Sequence, residues 1–405
     1  MQDNSRSAKL RHAVTQARLG TKALWAGEEE SLSEGTQVPI VQSVGFGYHD
    51  LDEWQAVALG QRRGHIYSRN TNPTVGVFEE KVRVLEGGEA AISFASGMAA
   101  ISNTIFSLLQ PGHRVVTVKD TYGGTNQLFR EFLPAINVEV CLCETTDPGQ
   151  VEAEIKKGCQ LLYLETPTNP TLKVVDIARL ARAAHAVGAV VVTDNTFATP
   201  INQRPLELGS DLVLHSASKF LGGHADALGG VVCGPKALVH KIYHYREITG
   251  AALDPFAAYL LLRGLKTLEI RIARQNDSAM QIAHFLESHA AVTQVNYPGL
   301  ISHPQHAVAK AQMPGGFGGM LSFTLRGDYD TVKKFLPALK FAHRAANLGA
   351  VETTVGPPAT TSHVEVSKQD RLAMGIPEAL VRYSTGIEDV KDLIADLEQA
   401  LASIS

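Results

Sequence analysis

One lysine, Lys219, follows a short apolar segment and lies within the sequence His215-Ser-Ala-Ser-Lys-Phe-Leu-Gly-Gly-His224. A solvated loop position would explain this lysine if it were the only clue. An amine between small hydroxyl residues and glycines also suits a Schiff base, because the hydroxyls can bind a phosphate and the glycines let the backbone turn tightly beneath a ring. The motif therefore makes Lys219 a candidate catalytic amine.

A carboxylate, Asp194, ends an earlier apolar segment that begins at Val190. Such a group can ligate a metal, act as a general base, cap a helix or keep a pyridine nitrogen protonated, and capping is favoured when the group is considered alone. Parallel sheets bind ligands beyond the carboxyl ends of their strands, so Asp194 and Lys219 are expected at one edge of a sheet. Their combination favours the fourth role, in which a charged ring accepts electrons from a substrate.

Three residues, Ser96, Gly97 and Met98, follow the apolar segment Ala90 to Ala95 and lead into an apolar helix. Small residues at a helix N-terminus leave backbone N–H groups free to hold a phosphate, and the helix dipole adds to that attraction. An ordinary N-cap role for Ser96 explains the same pattern equally well.

The sequence offers few candidate metal ligands. His215 and His224 flank the lysine motif, but they have no helical i, i+4 geometry and no acidic cluster completes a site, so we expect packing roles and no metal. The cysteines fit neither a disulfide framework nor a zinc site. They are Cys141, Cys143, Cys159 and Cys233. We expect the first two to be buried thiols in a strand.

Seven short apolar segments alternate with helical patterns between residues 64 and 256, which predicts a mainly parallel sheet with helices on both faces, an α/β fold. The segments are Ala90 to Ala95, Val115 to Val118, Val138 to Cys143, Leu161 to Glu165, Val190 to Asp194, Asp211 to His215 and Gly230 to Cys233. One connecting helix is predicted between its cap, Asp176, and Gly188. Its apolar face comprises Ile177, Leu180, Ala181 and Ala184.

The chain of 405 residues is long enough for two domains. Residues 1–63 show weak periodicity, and we expect an irregular N-terminal arm there. Residues 64–256 form the predicted large domain. Residues 257–405 indicate a smaller α+β domain with a long helical stretch through Leu286, an apolar alternation around Met320 to Leu325, and helices near 329–340 and 388–403.

The composition, 44% hydrophobic and 19% charged, is typical of a soluble globular protein. With a net charge of -4 and no block of Lys and Arg, nucleic-acid binding is not expected. No run of about 18 apolar residues could cross a membrane. Met1 to Gly20 lacks the apolar stretch of a secretory signal, so we expect a cytoplasmic protein without a membrane partner.

Seven motifs occur in order along the chain. They are Tyr67-Ser-Arg-Asn-Thr-Asn-Pro73, Ser96-Gly-Met-Ala-Ala100, Asp120-Thr-Tyr-Gly-Gly-Thr125, Glu165-Thr-Pro-Thr-Asn-Pro170, Asp194-Asn-Thr-Phe197, Ser216-Ala-Ser-Lys219 and Arg382-Tyr-Ser-Thr-Gly-Ile-Glu388. Each alone is a weak signal, but in this order the chain resembles the Cys/Met-metabolism (trans-sulfuration) family of pyridoxal phosphate (PLP) enzymes. The resemblance implies a fold type I large domain like that of aspartate aminotransferase, with a smaller C-terminal domain. It also implies PLP as cofactor, an amino-acid substrate, and a homotetramer built from dimers that share active sites.

The resemblance also implies roles for individual residues. Lys219 would carry the cofactor as a Schiff base and Asp194 would face the pyridine nitrogen. Cofactor binding would involve Ser96, Gly97, Met98, Asn169, Ser216 and Ser218, together with Tyr67 and Arg69 of a neighbouring subunit. Tyr122 would stack on the ring and take part in catalysis, and substrate binding would fall to Asn347, Thr361 and Arg382.

Two of these residues have ordinary alternatives. Arg382 offers a planar fork matched to a carboxylate, which lysine could not reproduce, but it could instead form a surface ion pair with Glu388 or Asp389. Tyr122 could be a packed aromatic side chain or a phenol that relays protons beside the cofactor.

Members of this family either replace the γ substituent of an activated homoserine or act as lyases. Gly124 stands where methionine γ-lyases carry a cysteine. The segments Ala345-Ala-Asn-Leu-Gly349 and Pro358-Ala-Thr-Thr361 resemble the homoserine-ester sulfhydrylases. They depart from the Glu-Ser-Leu-Gly pattern of cystathionine synthases and γ-lyases, so the position of Ala346 provides no acid to bind a distal ammonium group.

We therefore predict PLP-dependent γ-replacement on an O-acylhomoserine-like substrate with a sulfur or related nucleophile. The alternative is a γ- or β-lyase that releases a thiol, ammonia and a 2-oxo acid. A non-catalytic PLP-binding protein would be expected to lose the proton-transfer groups, whereas Lys219, Tyr122 and Arg382 are all present.

Overall fold

The N-terminal part of the chain is more helical than its sequence predicts. The structure, a computed structural model, describes residues 3–28, 35–364 and 366–404, so residues 1–2 and 29–34 of the predicted arm lie outside it. Three helices form within the arm: α1 (Asp3–Gln16), α2 (Leu19–Trp25) and α3 (Leu51–Ala58). The expectation of an irregular arm is wrong over these ranges, because capping and tertiary packing supply what periodicity does not show. Asp50 caps α3, and α2 packs on later helices.

A seven-stranded sheet forms the centre of the large unit. Its strands are β1 (Ala90–Phe94), β2 (Arg114–Val118), β3 (Glu139–Cys143), β4 (Leu161–Glu165), β5 (Val190–Asp194), β6 (Leu212–Ser216) and β7 (Gly230–Gly234). The strand order is β1-β7-β6-β5-β4-β2-β3; β7 pairs antiparallel with β1 and with β6, and the other four strand pairs are parallel. All seven predicted segments form strands, and the prediction of a mainly parallel sheet is confirmed.

Helices cover both faces of this sheet. They are α4 (Pro73–Glu86), α5 (Gly97–Leu108), α6 (Gly123–Gln127), α7 (Leu133–Ala135), α8 (Pro148–Lys156), α9 (Ile177–His185), α10 (Thr199–Asn202) and α11 (Lys236–Thr249). A π-helical turn, Leu128–Phe132, joins α6 to α7. Side chains alternate along β4: Leu161 and Tyr163 pack with α5 and α11, whereas Leu162 and Leu164 pack with α8 and α9.

The predicted connecting helix is α9. The carboxylate of Asp176 accepts a hydrogen bond from the backbone N–H of Arg179 (2.9 Å). The four apolar residues predicted to share a face are all buried, and Gly188 follows the helix with a φ of 77°. The cap and the apolar face therefore act together to place β5, and Asp194 at its end.

The C-terminal part contains a second, five-stranded sheet. Its strands are β8 (Val292–Asn296), β9 (Met320–Leu325), β10 (His343–Arg344), β11 (Thr354–Gly356) and β12 (Leu380–Ser384), in the order β10-β11-β12-β9-β8. The helices of this part are α12 (Pro255–Leu265), α13 (Leu268–Ser288), α14 (His306–Gln312), α15 (Tyr329–Ala338), α16 (Lys368–Ala373) and α17 (Val390–Ala402). The predicted strand at Met320 to Leu325 and both predicted helices are present.

The long helical stretch predicted through Leu286 is present as two helices, because the chain breaks between α12 and α13. Gly264 lies against the turn that follows Lys219, where a Cβ would overlap the carbonyl oxygen of Gly222. The carbonyl oxygen of Gly264 accepts from the N–H of Thr267 (3.2 Å), in a turn rather than a continued α-helix, and from the guanidinium of Arg271 (2.9 Å). The approach of Gly264 to Gly222 is a tertiary contact, and local periodicity carries no sign of it.

The domain boundary at 256/257 stays a prediction. Helix α12, which that boundary places in the C-terminal domain, packs against α4, and Leu261 and Leu265 share a core cluster with Phe78. No helix among the described residues is both long and apolar enough to cross a membrane.

Candidate active site at the carboxyl ends of β4, β5 and β6

The ends of three parallel strands bring the candidate residues together. Glu165 and Asp194 are the last residues of β4 and β5 and lie opposite each other in register. Ser216 ends β6, and Lys219 follows three residues later. Parallel strands point their carboxyl ends toward the same edge, so these side chains converge there.

The amine of Lys219 lies in a partly enclosed position. Its Nζ donates to Oδ1 of Asn347 (2.9 Å). Burial, and then the nearby guanidinium of Arg382, lowers the pKa of Lys219 to about 8. A lysine with such a pKa is partly neutral near pH 7 and can attack a carbonyl to form an imine.

A tight turn after β6 holds Lys219 in place. Gly223 has a φ of 70°, and its N–H donates to the carbonyl oxygen of Lys219 (2.8 Å). The guanidinium of Arg271 donates to the carbonyl oxygens of Phe220 (2.9 Å) and Leu221 (3.3 Å). Gly223 is the residue that this turn requires, because its φ is strained for other residues and a Cβ would overlap Arg271.

Asp194 has one oxygen bound tightly and one nearly unbound. Its Oδ1 accepts from the backbone N–H (2.9 Å) and the hydroxyl (2.5 Å) of Thr196, whereas Tyr163 is 3.5 Å from Oδ2. Burial raises the pKa of Asp194, and the Thr196 bonds oppose that effect. The same Thr196 hydroxyl accepts from the N–H of Ser216 (2.9 Å), which joins β5 to β6. Sequence reasoning missed Thr196, although its place two residues after a strand-end acid was a signal.

The second strand-end acid, Glu165, begins the motif that ends at Pro170, and the sequence predicts no role for it. Its Oε2 accepts from the backbone N–H of Tyr122 (2.7 Å), and its Oε1 accepts from that of Asn169 (3.3 Å). Burial and the neighbouring Asp194 raise the pKa of Glu165 well above its ordinary value.

Arg382 is a buried cation on β12, facing the large unit. It donates to Oδ1 of Asn169 (3.2 Å) and to the carbonyl oxygen of Asn347 (3.1 Å), and burial lowers its pKa to about 10. The alternative of an ion pair is wrong, because the Glu388 carboxylate accepts from Thr353. Asp389 caps α17 instead. Among the described residues no carboxylate pairs with Arg382, so this buried cation can receive an anion.

The start of α5 lies against the end of β6. The Ser96 hydroxyl accepts from the N–H of Ala99 (3.1 Å), so the N-cap explanation of Ser96 is confirmed. A Cβ on Gly97 would come within 2.6 Å of the Cβ of Ser216, which shows how closely the two backbones approach. Ser218 exchanges hydrogen bonds with the backbone of Gly229 at 2.9 and 3.2 Å. Phosphate binding by these residues stays a prediction.

Tyr122 is not a packed aromatic, since 43% of it is exposed. A Cβ on Gly124 would lie 3.0 Å from Cε1 of Tyr122 and 3.1 Å from Sδ of Met98, so a larger side chain there would press on both. The segment that contains Thr361 borders this region, because a Cβ on Gly123 would be 2.7 Å from the carbonyl oxygen of Ser362. The Thr361 hydroxyl itself donates to the carbonyl oxygen of Pro357 (2.9 Å).

Tyr67 and Arg69 lie in a different environment. The Arg69 guanidinium carbon is 5.2 Å from the centre of the Tyr67 ring, and Tyr67 is 43% exposed. Hydrogen bonds tie this stretch to Val44 and to Arg246. Within the described chain these bonds do not join it to the residues around Lys219.

The remaining histidines and cysteines form no metal-binding group among the described residues. His215 Nε2 is 2.5 Å from Oε1 of Glu86, and His224 bonds to the carbonyl oxygen of Gly222. The expectation of two buried thiols holds for Cys143 but not for Cys141, which is only partly buried. Burial raises the pKa of Cys143 to about 12.

Comparisons with known proteins agree with this geometry. Residues 20–402 match the model of the Cys/Met metabolism PLP-dependent enzyme family. An L-methionine gamma-lyase of Fusobacterium nucleatum subsp. polymorphum is 42% identical over 95% of this chain and 98% of its own. A chloroplastic cystathionine gamma-synthase of Nicotiana tabacum is also 42% identical, over 95% of this chain and 72% of its own.

A solved structure gives the same result. The cystathionine gamma synthase of Xanthomonas oryzae pv. oryzae, in complex with aminoacrylate and cysteine, superposes with a TM-score of 0.91 at 36% identity. The match covers 96% of this chain and 98% of that one. The fold is therefore the fold type I architecture that the sequence predicts, and the chain belongs to the Cys/Met-metabolism family of PLP-dependent trans-sulfuration enzymes.

Proposed function

We propose that the protein catalyses γ-replacement on an activated homoserine, such as an O-acylhomoserine, with a sulfur or related nucleophile. One observation carries this proposal: an amine of lowered pKa, a strand-end acid and an unpaired buried guanidinium converge at a single edge of the sheet. These groups are Lys219, Asp194 and Arg382. An α-amino acid presents an amine, an acidic Cα–H and a carboxylate, which match that set.

The residues present fit PLP. When bound, PLP supplies an aldehyde that reacts with amines and a pyridinium ring that withdraws electrons. Asp194 keeps Oδ2 available for the ring nitrogen, because Thr196 occupies Oδ1. The helix start at Gly97, with Met98, Ser96, Ser216 and Ser218, provides N–H and hydroxyl groups for the phosphate.

The remaining assignments follow the same logic. The exposed ring of Tyr122 offers a flat face for stacking, and Asn169 lies where it can touch the ring hydroxyl or the substrate. Lys219 would hold the cofactor through its Nζ, and the same atom would move a proton between Cα and Cβ of the substrate. A pKa of about 8 suits an amine that must both accept and return a proton near neutral pH.

Arg382 binds the α-carboxylate of the substrate. Asn169 and Asn347 hold the guanidinium from two sides and leave its other N–H groups for the ligand. Thr361 lies on the segment that borders this site and is assigned to the substrate side.

The surroundings of Ala346 argue against a substrate with a distal ammonium group. A cavity of about 370 Å³ is lined by Ala346, Arg344 and Thr361, among other residues, and none of the described residues that line it is acidic. Among these described residues, a distal ammonium group, as in cystathionine, would find no carboxylate partner. Gly124 stands beside Tyr122 where methionine γ-lyases carry a cysteine, which argues against that lyase. A lyase is nevertheless the alternative, because relatives of both activities are equally similar to this chain.

The decisive experiment is to incubate the holoenzyme with a panel of O-acylhomoserines and thiols and to identify the amino-acid product by mass spectrometry. Replacement predicts a thioether product whose mass changes with the thiol. A 2-oxo acid released at the same rate with or without thiol would favour the lyase. Lys219→Ala is the control, and turnover in that variant would contradict the assignment.

We also infer that the protein is a cytoplasmic homotetramer built from dimers that share active sites, with Tyr67 and Arg69 of one subunit reaching the phosphate site of the next. Support comes from the position of these residues, which lie outside the Lys219 site of their own chain and are partly exposed. Light scattering after size exclusion measures the assembly, and fractionation of cells measures the location.

A further inference from the structure

Glu165 is a buried acid that the proposed chemistry does not use. Glu165 is the last residue of β4, a strand in which every residue is buried, and only 5% of Glu165 is exposed. Its register with Asp194 on β5 places two carboxyl groups side by side on the sheet face that also carries Tyr163. Burying a second acid beside the first is costly, so a compensating set of contacts is expected.

The contacts of Glu165 are two backbone amides that belong to different parts of the site. The N–H of Tyr122 donates to Oε2 (2.7 Å), and the N–H of Asn169 donates to Oε1 (3.3 Å). Tyr122 precedes α6 and has no side-chain cap of its own. The single side chain of Glu165 therefore joins two loops that follow different strands.

Each amide holds a residue that faces the ligand. Tyr122 is 43% exposed, so packing restrains its ring only in part and the backbone bond to Glu165 contributes to its position. Asn169 presents Oδ1 to the guanidinium of Arg382 (3.2 Å). Movement at either amide would displace the phenol or the cation that meets the substrate carboxylate.

We propose that Glu165 is a positioning residue, whose two oxygens set the separation between the Tyr122 ring and the Asn169–Arg382 pair. The inference rests on the proposed function, because it takes Tyr122 and Arg382 as ligand-contacting groups. The perturbed pKa of Glu165, raised by burial and by Asp194, accords with a functional position.

The test uses Glu165→Gln. A glutamine has nearly the same shape but only one acceptor oxygen, so it can keep one amide and must present its NH₂ to the other. The bond from the Tyr122 N–H (2.7 Å) is shorter than that from the Asn169 N–H (3.3 Å). We therefore expect the glutamine oxygen to keep the bond from Tyr122 and the bond from Asn169 to be lost. Glu165→Ala removes both.

A matched control is Asp211→Asn. Asp211 also accepts a hydrogen bond from a backbone amide, that of Val191 (2.7 Å), but at the opposite ends of β5 and β6. This variant reports what the loss of a carboxylate costs away from the site.

Hydrogen exchange of the apo protein gives a readout that needs no cofactor. The segment 166–171 contains Pro167 and Pro170, which have no N–H, so few amides contribute and that of Asn169 can be resolved. In Glu165→Gln we expect exchange of Asn169 to accelerate about fivefold to tenfold, the loss of one hydrogen bond, while Tyr122 stays protected. Glu165→Ala should accelerate both.

Two readouts on the loaded enzyme complete the test. Glu165→Gln should raise the KM for the amino acid about fivefold to tenfold with a smaller change in kcat, and Glu165→Ala should also weaken PLP binding in equilibrium dialysis. If Glu165→Gln matches Asp211→Asn in exchange at 166–171 and in KM, the inference is overturned. Wild-type protein that binds no PLP or turns over no amino acid would instead overturn the proposed function, whatever the variants do.

Discussion

Replacing Arg382 with lysine keeps a positive charge but removes the planar fork. In the structure the fork donates to Asn169 Oδ1 (3.2 Å) and to the Asn347 carbonyl oxygen (3.1 Å), and other N–H groups remain for a carboxylate. A lysine places one nitrogen in this space and cannot make the paired contact that a carboxylate prefers. The substitution therefore tests carboxylate recognition rather than charge.

The expected magnitude follows from one hydrogen bond between charged groups, about 2 kcal/mol. At about 1.36 kcal/mol for each factor of ten, kcat/KM should fall about thirtyfold. The carboxylate is bound before and during the reaction, so most of the loss should be a higher KM.

The assay compares a substrate with its α-amide analogue, which has no carboxylate charge. Wild-type enzyme should prefer the carboxylate strongly, and Arg382→Lys should lose most of that preference. The control is Arg179→Lys, because Arg179 makes a bidentate contact with Glu152 on the surface at 2.7 and 2.9 Å and should leave kinetics unchanged. If Arg382→Lys slows both substrates equally, Arg382 does not bind the carboxylate.

Three further predictions concern the other groups. Burial lowers the pKa of Lys219 from 10.5 to about 8, so its reactive neutral form predominates above about pH 8. The rate of acylation of this residue in the apo protein, measured against pH, should therefore have its midpoint near pH 8. A midpoint near pH 10.5 would contradict the burial argument. Thr196→Val removes the hydroxyl bond to Asp194, and the Kd for PLP in equilibrium dialysis should rise about tenfold, whereas the exposed control Thr146→Val should not change it. The Tyr67→Ala and Lys219→Ala variants should each be inactive alone. When the two are mixed and reassembled, about half of the dimers would contain one subunit of each kind, with one intact site of two, so about a quarter of wild-type activity should return. No recovery would refute shared sites.

Local pattern was sufficient for the sheet. The strands of the large unit are short, apolar and separated by capped helices, and the Asp176 cap and Gly188 mark one helix at both ends. These signals depend on residues a few positions apart, so the sequence shows them directly. The break between α12 and α13 depends instead on Gly264 meeting Gly222, and no local signal marks it.

The same difference applies to the site. Asp194 and Lys219 could be predicted because each follows its own strand, and parallel strands end at one edge. The contact of Thr196 with Asp194 is local and could have been found, whereas its second partner, Ser216, is distant in sequence. Glu165 could not be assigned a role, because its shorter hydrogen bond comes from Tyr122, which is also distant. The ion-pair alternative for Arg382 was wrong for a related reason, since Glu388 is occupied by Thr353.

The sequence by itself determined the positions of the strands along the chain, the types of side chain at the strand ends and, through seven ordered motifs, the family. The strands and their end residues depend on nearby residues, and the family follows from several weak motifs taken together, so none of these properties requires knowledge of three-dimensional contacts. Only the tertiary structure decided which oxygen of Asp194 stays open, which buried cation pairs with no carboxylate among the described residues, and which acid binds the amides of both Tyr122 and Asn169. Each of these depends on burial and on contacts between distant residues, and both exist only once the chain has folded.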